Sequence, residues 1–455
     1  MRSLKEAIAY AVGRKRIPLH LADPPVSILE VALILGLEPP VSLAKFIRTL
    51  TLPGNFMPGQ YLATSAEVEG GPLSSWFQVD VFAVGLDGTP WKFWEFNDGA
   101  WMNGVIRSLG IVPASACMVT SSVLREVQMC TPSVTENGVA IFNQDFDGHW
   151  DPIVVRIDSS IRPRSFIAPF FNRIKAIVAV DGAGTLQLFW DDAEQVTPTG
   201  PMTGVPLSSP GFAPPGAPVA VDIRVRGLSD GVNQGGELSV FVIDNHGALW
   251  TFTMSDDETW SGTPMPNPNG VVLSPGAFVA TGRQVAMQTV GLGEQSLGYC
   301  QLDVFVVDDG GNLQIWWESQ GSEWHQDPMP DGGGLPPGAA IATGLQVFEL
   351  PWKNTPIGNQ LDVFVVDVSG RLARWWVYRS GSWSRDLLPG DIPLLPGSHL
   401  VTANQKIDDD ALFYQLDVFA VGLDGRIAVF WQTQGFDWTW QIVPGSDLAV
   451  LPPPM

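Results

Sequence analysis

Short apolar runs alternate with polar turns along most of this chain, and the pattern predicts many short β-strands. The clearest segments read QVDVFAVGLDGTPWKFW from Gln78, QLDVFVVDDGGNLQIWW from Gln301, QLDVFVVDVSGRLARWW from Gln360 and QLDVFAVGLDGRIAVFW from Gln415. In each segment an apolar strand leads into a tight turn ending at a glycine, and an aromatic-rich strand follows. Residues 363–366 are all apolar, so we expect neighbouring sheets to cover both faces of that strand.

The same unit recurs seven times, which predicts a repeat architecture. The glycines that mark the units are spaced by 46 to 64 residues, and they are Gly88, Gly138, Gly184, Gly247, Gly311, Gly370 and Gly425. The unit from 337 onward divides into four strand-like segments, 339–350, 361–366, 371–378 and 382–388. Four-stranded sheets sandwiched between like sheets form a β-propeller. We therefore predict an all-β fold, a seven-bladed β-propeller of four-stranded blades over residues 58–455, in which the second, third and fourth copies are less regular.

Residues 1–57 do not follow the repeat, and we predict that they form a short helical N-terminal arm. Two segments, SLKEAIAYAV and VSILEVALILGL, have helical patterns. The arm has a net charge of +3, whereas the remainder has a net charge of −25. Two interpretations stay open: the arm packs on a propeller face or in its channel, or it is a detachable address or an arm for homo-oligomerisation.

Composition and charge narrow the possible partners. The net charge of −22 disfavours nucleic acid and anionic membranes, since both require a positive patch. The longest uncharged apolar run, Val31–Leu37, is far below the ~20 residues of a membrane span. Cys117, Cys130 and Cys300 are too few for a disulfide scaffold. The N-terminus has no apolar h-region, so we expect cytoplasmic synthesis without a signal peptide, with non-classical release left open.

Tryptophan is over-represented, with 18 residues against 5 tyrosines, and it recurs in two columns. The first column lies six residues after the glycine and contains Trp94, Trp190, Trp317, Trp376 and Trp431. The second lies near a polar turn and contains Trp101, Trp150, Trp260, Trp324, Trp383 and Trp438. Such a tryptophan either packs between blades or offers a platform to the apolar face of a sugar ring. We predict platforms at Trp101, Trp324, Trp383 and Trp438, with Trp94, Trp317, Trp376 and Trp431 as supporting wall or core.

Acidic residues also recur, and we interpret them as structural. Asp80, Asp303, Asp362 and Asp417 occupy one position of the second strand, where an Asp can accept a hydrogen bond from a neighbouring blade. The turn acids Asp87, Asp309 and Asp424 fit Asx-type turns. No loop has the alternating acidic spacing of a calcium site, and we predict neither a metal nor a cofactor.

The unit LDVFAVGLDG, followed by an aromatic strand, a polar turn and a Trp, resembles the repeat of the seven-bladed propeller lectins typified by the Photorhabdus lectin family. The resemblance covers about residues 58–445. It implies sugar sites between adjacent blades, lined by the repeat tryptophans, and fucose-type or O-methylated sugars as ligands. Glycans or glycoconjugates are then the expected partners, bound at multiple weak sites. The chain differs from that family in its N-terminal arm, its longer Pro-rich loops and its three irregular copies.

Catalytic motifs are weak in this sequence. The five histidines are scattered singly, and the one G-x-S-x-G match, around Ser229, precedes a Gly-rich loop and a strand rather than a helix. We therefore predict a lectin that is not an enzyme. The alternatives are a non-catalytic protein-interaction propeller and, less favoured, a propeller glycoside hydrolase whose paired carboxylates assemble in the central channel.

Overall fold

The computed structural model describes residues 56–446, apart from 58, 70–75, 97–98, 107–111, 114–115, 124–125, 134–137, 145–148, 158–159, 163–164, 171–175, 191–201, 226–227, 230–231, 234–235, 256–258, 291–293, 320, 349–357, 379–380, 407–413 and 434–435. Within these residues there are thirty β-strands and no helix. The described part of the chain accordingly contains no apolar helix of membrane-spanning length. The predicted helical arm, except for Phe56 and Met57, lies outside the described residues.

The strands form seven four-stranded antiparallel blades and one hairpin. Blade one contains β1 (Leu62–Glu69), β2 (Trp76–Val84), β3 (Pro90–Phe96) and β4 (Met102–Val105); blade two contains β5 (Val119–Val123), β6 (Glu126–Pro132), β7 (Gly138–Gln144) and β8 (Trp150–Arg156); blade three contains β9 (Ile167–Phe170), β10 (Ala176–Val180), β11 (Leu186–Trp190) and β12 (Thr203–Pro206). Blade four contains β13 (Val219–Val225), the hairpin β14 (Leu228–Ser229) and β15 (Val232–Asn233), then β16 (Gly236–Ile243), β17 (Leu249–Met254) and β18 (Trp260–Pro264). Blade five contains β19 (Ala280–Val290), β20 (Glu294–Val307), β21 (Leu313–Ser319) and β22 (His325–Pro328); blade six contains β23 (Ala342–Phe348), β24 (Gly358–Val366), β25 (Leu372–Tyr378) and β26 (Ser384–Leu387); blade seven contains β27 (Leu400–Lys406), β28 (Tyr414–Val421), β29 (Ile427–Thr433) and β30 (Thr439–Ile442).

Each blade pairs its strands in chain order, so the predicted seven-bladed all-β propeller is confirmed. The hairpin β14–β15 is an insertion between the first and second main strands of blade four. A single pair, Ala286 with Gly358, also links the first strand of blade five to the second strand of blade six.

The hydrophobic core consists of interfaces between blades, as the apolar second strands predicted. In β24, Val363 and Val365 pack toward blade five. Phe364 and Val366, on the opposite face, pack toward blade seven. The described residues contain seven such buried clusters, one at each boundary between adjacent blades. Because side chains alternate between the two faces of a strand, a strand that is apolar at every position serves two neighbours.

Threonine hydroxyls join successive blades around the central channel. Thr343 Oγ1 donates to the carbonyl oxygen of Thr281 at 2.6 Å, and Thr402 Oγ1 donates to that of Thr343 at 2.6 Å. Thr64 Oγ1 donates to the carbonyl oxygen of Thr402 at 2.6 Å, which joins blade one to blade seven. Thr120 Oγ1 in turn donates to the carbonyl oxygen of Thr64. This series of hydrogen bonds closes the ring between its first and last blades.

The turn after the second strand depends on glycine in six of the seven copies. Those six marker glycines have φ between 73° and 81°, a region that other residues rarely adopt. A Cβ on Gly370 would also lie 2.6 Å from the carbonyl oxygen of Leu394. Gly138 is the exception, because it is the first residue of β7. The predicted Asx turns are present at Asp87 and Asp424, whereas Asp309 accepts a hydrogen bond from Ser274 Oγ instead.

Phe56, just before the first blade, is part of the propeller core. Its side chain is fully buried in the cluster shared by blades one and seven, and its ring lies edge-on to Phe93 at 5.9 Å. Its backbone N–H donates to the carbonyl oxygen of Gly425 at 3.2 Å. The chain therefore begins to stabilise the closure of the ring before β1 starts.

We expect Phe56→Ala to lower the free energy of unfolding by ~3–5 kcal/mol, because it removes a buried aromatic ring at the boundary where the ring closes. Urea unfolding of the full chain measures the change. Phe436→Ala is the matched control, since Phe436 is 68% exposed and should change stability by no more than ~0.5 kcal/mol. Equal effects of the two substitutions would contradict the role given to Phe56.

Candidate ligand site between blades seven and one

Four blades present the same side chains toward the next blade. Their second strands carry an aspartate and, two residues later, a phenylalanine on the same face. These pairs are Asp80 and Phe82, Asp303 and Phe305, Asp362 and Phe364, and Asp417 and Phe419. In the register of the third strand, the first-column tryptophans Trp94, Trp317, Trp376 and Trp431 lie opposite the aspartates. The residues opposite the phenylalanines are Lys92, Ile315, Arg374 and Val429, and we call this the cleft position.

The second-column tryptophan of the following blade closes each arrangement. Its ring lies edge-on to the buried phenylalanine, at 5.7 Å for Phe82 and Trp150, 5.8 Å for Phe305 and Trp383, 5.6 Å for Phe364 and Trp438, and 5.9 Å for Phe419 and Trp101. All four tryptophans are half-buried. Edge-to-face packing of this kind stabilises an aromatic pair beyond the area that it buries. The second column therefore packs between blades and also forms one wall of a cleft at each of these boundaries.

The cleft between blades seven and one contains a cavity of about 220 Å³. Its described lining residues come from both blades, and they are Glu95, Gly99, Trp101, Gln415, Asp417, Val429, Trp431 and Gln441. The structure thus brings together one predicted platform, Trp101, and one predicted wall residue, Trp431. The cavity is smaller than the pockets that hold drug-sized ligands, and its volume suits a single small polar ligand.

Asp417 is the buried acid of this cleft. Its side chain accepts a hydrogen bond from Gln415 Nε2 at 2.7 Å, and among the described residues no Lys or Arg pairs with it. Burial raises the pKa of Asp417 to about 8, the Gln415 hydrogen bond partly offsets this rise, and Glu95 across the blade boundary raises the pKa further. The carboxyl group is therefore mostly protonated at neutral pH, and it can both donate and accept hydrogen bonds.

In the cleft between blades one and two, the cleft position is a lysine that occupies the space beside the acid. Lys92 Nζ lies 3.0 Å from Asp80 Oδ2 and donates to Gln144 Oε1 at 3.1 Å. The same nitrogen lies 5.8 Å from the ring centroid of Trp94 and 5.7 Å from that of Trp150. The ammonium group is thus held between one tryptophan of each blade and the buried carboxylate.

The cleft between blades six and seven contains an arginine in the same place. Arg374 Nε lies 2.5 Å from Asp362 Oδ1. Its guanidinium carbon lies 5.5 Å from the ring centroid of Trp376 and 5.1 Å from that of Trp438. In the clefts of blades one and six, a cation of the chain therefore occupies the cleft position. In blade seven, Val429 leaves the corresponding space open.

The remaining predicted platforms have different surroundings. In the cleft between blades five and six, Ile315 holds the cleft position, Trp383 packs on Phe305, and burial raises the pKa of Asp303 to about 7. Trp317 donates through Nε1 to Asp327 at 2.8 Å. Between blades four and five, Trp324 packs on Phe241 at 5.8 Å, but Ser239 replaces the acid and Thr253 the first-column tryptophan.

The expectation that these aspartates bond to a neighbouring blade is wrong for Asp303, Asp362 and Asp417. Their hydrogen-bond donors lie in the same blade, chiefly the glutamine two residues earlier in the strand. A buried Asp and Gln on one face satisfy each other locally, because they are neighbours on that face. The cleft position was not predicted from the sequence, although a cation, Lys92 or Arg374, recurs there in two of the four best copies.

The groups considered for catalysis do not converge among the described residues. His149, His246, His325 and His399 belong to four different blades, and Ser229 lies in the hairpin strand β14. The first strands of all seven blades line a central cavity of about 420 Å³, and no Asp or Glu is among its described lining residues. Within the described ranges, no group of three His, Cys, Asp or Glu side chains is placed to hold a metal ion.

Because burial raises the pKa of Asp417 to about 8, the native state holds a proton that the unfolded state releases near pH 4. The contribution of Asp417 to the free energy of unfolding therefore falls as pH rises from about 4 to about 8. Asp417→Asn should remove this contribution, so the thermal midpoint of the variant relative to the parent should increase between pH 5 and pH 8. Asp437→Asn, on an exposed turn, is the control. A constant difference across this range would refute the assignment.

Truncation of tryptophans should separate core residues from cleft residues. Trp316 is 1% exposed, and Trp316→Ala should cost ~3–5 kcal/mol of stability. Trp101→Ala should cost less, because Trp101 is half-buried, and Trp190→Ala should cost least, because Trp190 is 44% exposed. Urea unfolding measures the order. A loss at Trp101 as large as that at Trp316 would mean that Trp101 is a core residue only.

Comparison with known proteins supports the fold. No protein-family model and no curated protein matches the chain. The structure is similar to the crystal structure of BP39L lectin from Burkholderia pseudomallei, with a TM-score of 0.66 and 27% identity, over 84% of this chain and 98% of that chain. AofleA from Arthrobotrys oligospora matches with a TM-score of 0.47 and 11% identity, over 86% and 88% of the two chains. The fucose-specific lectin from Aleuria aurantia matches with a TM-score of 0.46 and 10% identity, over 87% and 98%.

The last two similarities are too distant to bear on function. The similarity to BP39L confirms the predicted resemblance to propeller lectins as a class. The narrower resemblance to the Photorhabdus lectin family stays a prediction. Over most of its length, then, this chain has the architecture of a structurally characterised lectin.

Proposed function

We propose that this protein is a lectin that binds a sugar ring in the cleft between blades seven and one. The proposal rests on the residues that line this cavity. Two tryptophans from adjacent blades, Trp101 and Trp431, line about 220 Å³ together with two carboxyl groups and two glutamine amides. Apolar faces beside a few polar groups are what recognition of a small polar ligand requires.

The groups that line the cleft are complementary to the C–H face and the hydroxyl groups of a sugar. An indole face packs against the C–H face of a pyranose ring, which is apolar. Gln441 offers an amide donor and an amide acceptor to hydroxyl groups. Gln415 instead orients the acid, because its Nε2 donates to Asp417 and to Gln405. Asp417, protonated at neutral pH, adds a further donor. The similarity to a lectin of known structure supports the same function.

The number of sites is smaller than the number of blades. Lys92 and Arg374 occupy the clefts between blades one and two and between blades six and seven, so these offer less room for a sugar. The cleft between blades five and six, with Ile315 and Trp383, is the second candidate. Fucose-type and O-methylated sugars, which the resemblance implies, are the first ligands to test. We propose binding without catalysis; a protein-interaction scaffold and a glycoside hydrolase are the competing functions.

A glycan array probed with the full chain, followed by calorimetry with methyl α-L-fucoside or the best array ligand, tests the proposal. We expect millimolar or tighter binding that Trp101→Ala and Trp431→Ala each weaken by more than ~10-fold, a loss of about 1.4 kcal/mol. Trp190→Ala is the matched control, because Trp190 is exposed in blade three and lies outside this cleft.

Two other outcomes would point to a different function, and a third would point to a different site. If no glycan binds at millimolar concentration, the scaffold is favoured. Release of free sugar from a glycoside would identify a hydrolase. If sugar binds but neither cleft variant weakens it, the ligand site lies at another boundary.

A further inference from the structure

Two clefts of this protein share a frame that consists of one buried aspartate and two tryptophans. The side chain held in each frame shows which chemical group it accepts. The ammonium of Lys92 and the guanidinium of Arg374 each lie beside a buried aspartate and between two tryptophans. All four distances from cation to ring centroid, 5.1 to 5.8 Å, are within the ~6 Å range of cation–π attraction. The frame is therefore a cage for an organic cation, and in these two clefts the chain supplies that cation itself.

The cleft between blades seven and one has the same frame, with Val429 at the position of the cation. Strand register equates Asp417 with Asp80 and Asp362, and it equates Val429 with Lys92 and Arg374. Both walls are again tryptophans. Trp431 and Trp101 take the places of the two tryptophans in the clefts of Lys92 and Arg374, which we call the sister clefts. The cavity of about 220 Å³ lies beside Val429 and between the two tryptophans.

The charge of this cleft also favours a cation. Its described lining residues include two carboxyl groups, Asp417 and Glu95, and no basic residue. Among the described residues, Glu95 is the titratable group that faces Asp417 from blade one, and the other described lining residues are uncharged. The chain as a whole has a net charge of −22, which raises the local concentration of cations at its clefts.

We infer that the cleft between blades seven and one binds the ammonium group of an external ligand, in the place that Lys92 and Arg374 occupy in the sister clefts. The ligand class is a small organic ammonium ion. The inference rests on the proposed function only in one respect: if the ammonium is carried by a sugar, that sugar is an unacetylated amino sugar.

A pH dependence follows from this geometry. A cation in the cleft stabilises the ionised form of Asp417, whose pKa burial raises to about 8 in the free protein. Binding of a permanently charged ammonium must therefore be linked to loss of that proton. We expect its affinity to increase by up to ~10-fold per pH unit from pH 6 to pH 8 and to level off above pH 8.

The test compares choline with 3,3-dimethyl-1-butanol, its neutral isostere, at low ionic strength. Saturation-transfer NMR and calorimetry on the full chain should show that choline binds at least ~10-fold more tightly, since only choline gains the cation–π and carboxylate interactions. Equal affinities, or no binding of choline at millimolar concentration, would overturn the inference.

Substitutions at the cleft position make the test specific to this site. Val429→Lys reproduces blade one, so it should fill the cleft with an internal ammonium and abolish choline binding. Val429→Ile, which reproduces blade five, is the matched control and should retain most of the binding. Asp417→Asn should weaken binding by more than ~10-fold at pH 8 and remove its pH dependence. Undiminished choline binding in both Val429→Lys and Asp417→Asn would place the cation elsewhere and refute the assignment.

The converse substitution tests whether a buried aspartate and two tryptophans are sufficient to bind a cation. Lys92→Val should open the cleft between blades one and two, and the stoichiometry of choline should increase by one per chain relative to the parent. Unchanged stoichiometry in a folded Lys92→Val variant would show that the frame alone does not make a cation site.

A comparison of glucosamine with methyl α-L-fucoside separates this inference from the proposed function. Suppose that the neutral fucoside binds, that choline binds no more tightly than 3,3-dimethyl-1-butanol, and that glucosamine binds no more tightly than the fucoside. The lectin function then stands and the ammonium site fails. If choline binds in the cleft and no sugar does, the ammonium site stands and the lectin function fails.

Discussion

The structure depends on one constraint: the second strand of each blade is apolar on both faces, so each blade must be covered by two neighbours. An open stack of seven sheets would leave two apolar faces in water, whereas a closed ring leaves none. Closure joins blade seven to blade one through Phe419, Trp101 and the buried Phe56. The hydrogen bond from Thr64 to Thr402 forms at the same boundary, near the channel. The same contacts between blades thus form the hydrophobic core and close the ring.

The clefts are a consequence of this packing. In blades one, five, six and seven, the phenylalanine that meets a tryptophan of the next blade is two residues from a buried aspartate, and alternation brings both to the blade boundary. A buried carboxylate is costly unless it is paired or neutralised. Blades one and six pair it with Lys92 and Arg374. Blades five and seven instead provide glutamine donors, and burial shifts the pKa of Asp303 and Asp417 toward neutrality.

These two solutions make chemically different clefts from nearly identical repeats. Where a cation satisfies the acid, the cation also fills the space between the tryptophans. Where an aliphatic residue replaces it, as at Val429, the tryptophans and the acid remain available to a ligand. In blades one, six and seven, the side chain at the cleft position therefore decides whether the boundary is closed by the protein itself or left open. Repetition of a fold across seven blades does not imply repetition of a site.

The sequence by itself determined the strands, the number of blades and the two tryptophan columns. These are local properties, because the turn glycines, the alternation of side chains and the continuous apolar runs each involve residues close in the chain. Even the irregular second copy, whose Gly138 begins a strand instead of ending a turn, still forms a complete blade. Only the tertiary structure decided which tryptophans share a cleft, because Trp101 and Trp431 are more than 300 residues apart and meet only when the ring closes. It also decided the protonation of Asp417, since a pKa depends on burial and on charges across the boundary, and neither is a property of the local sequence.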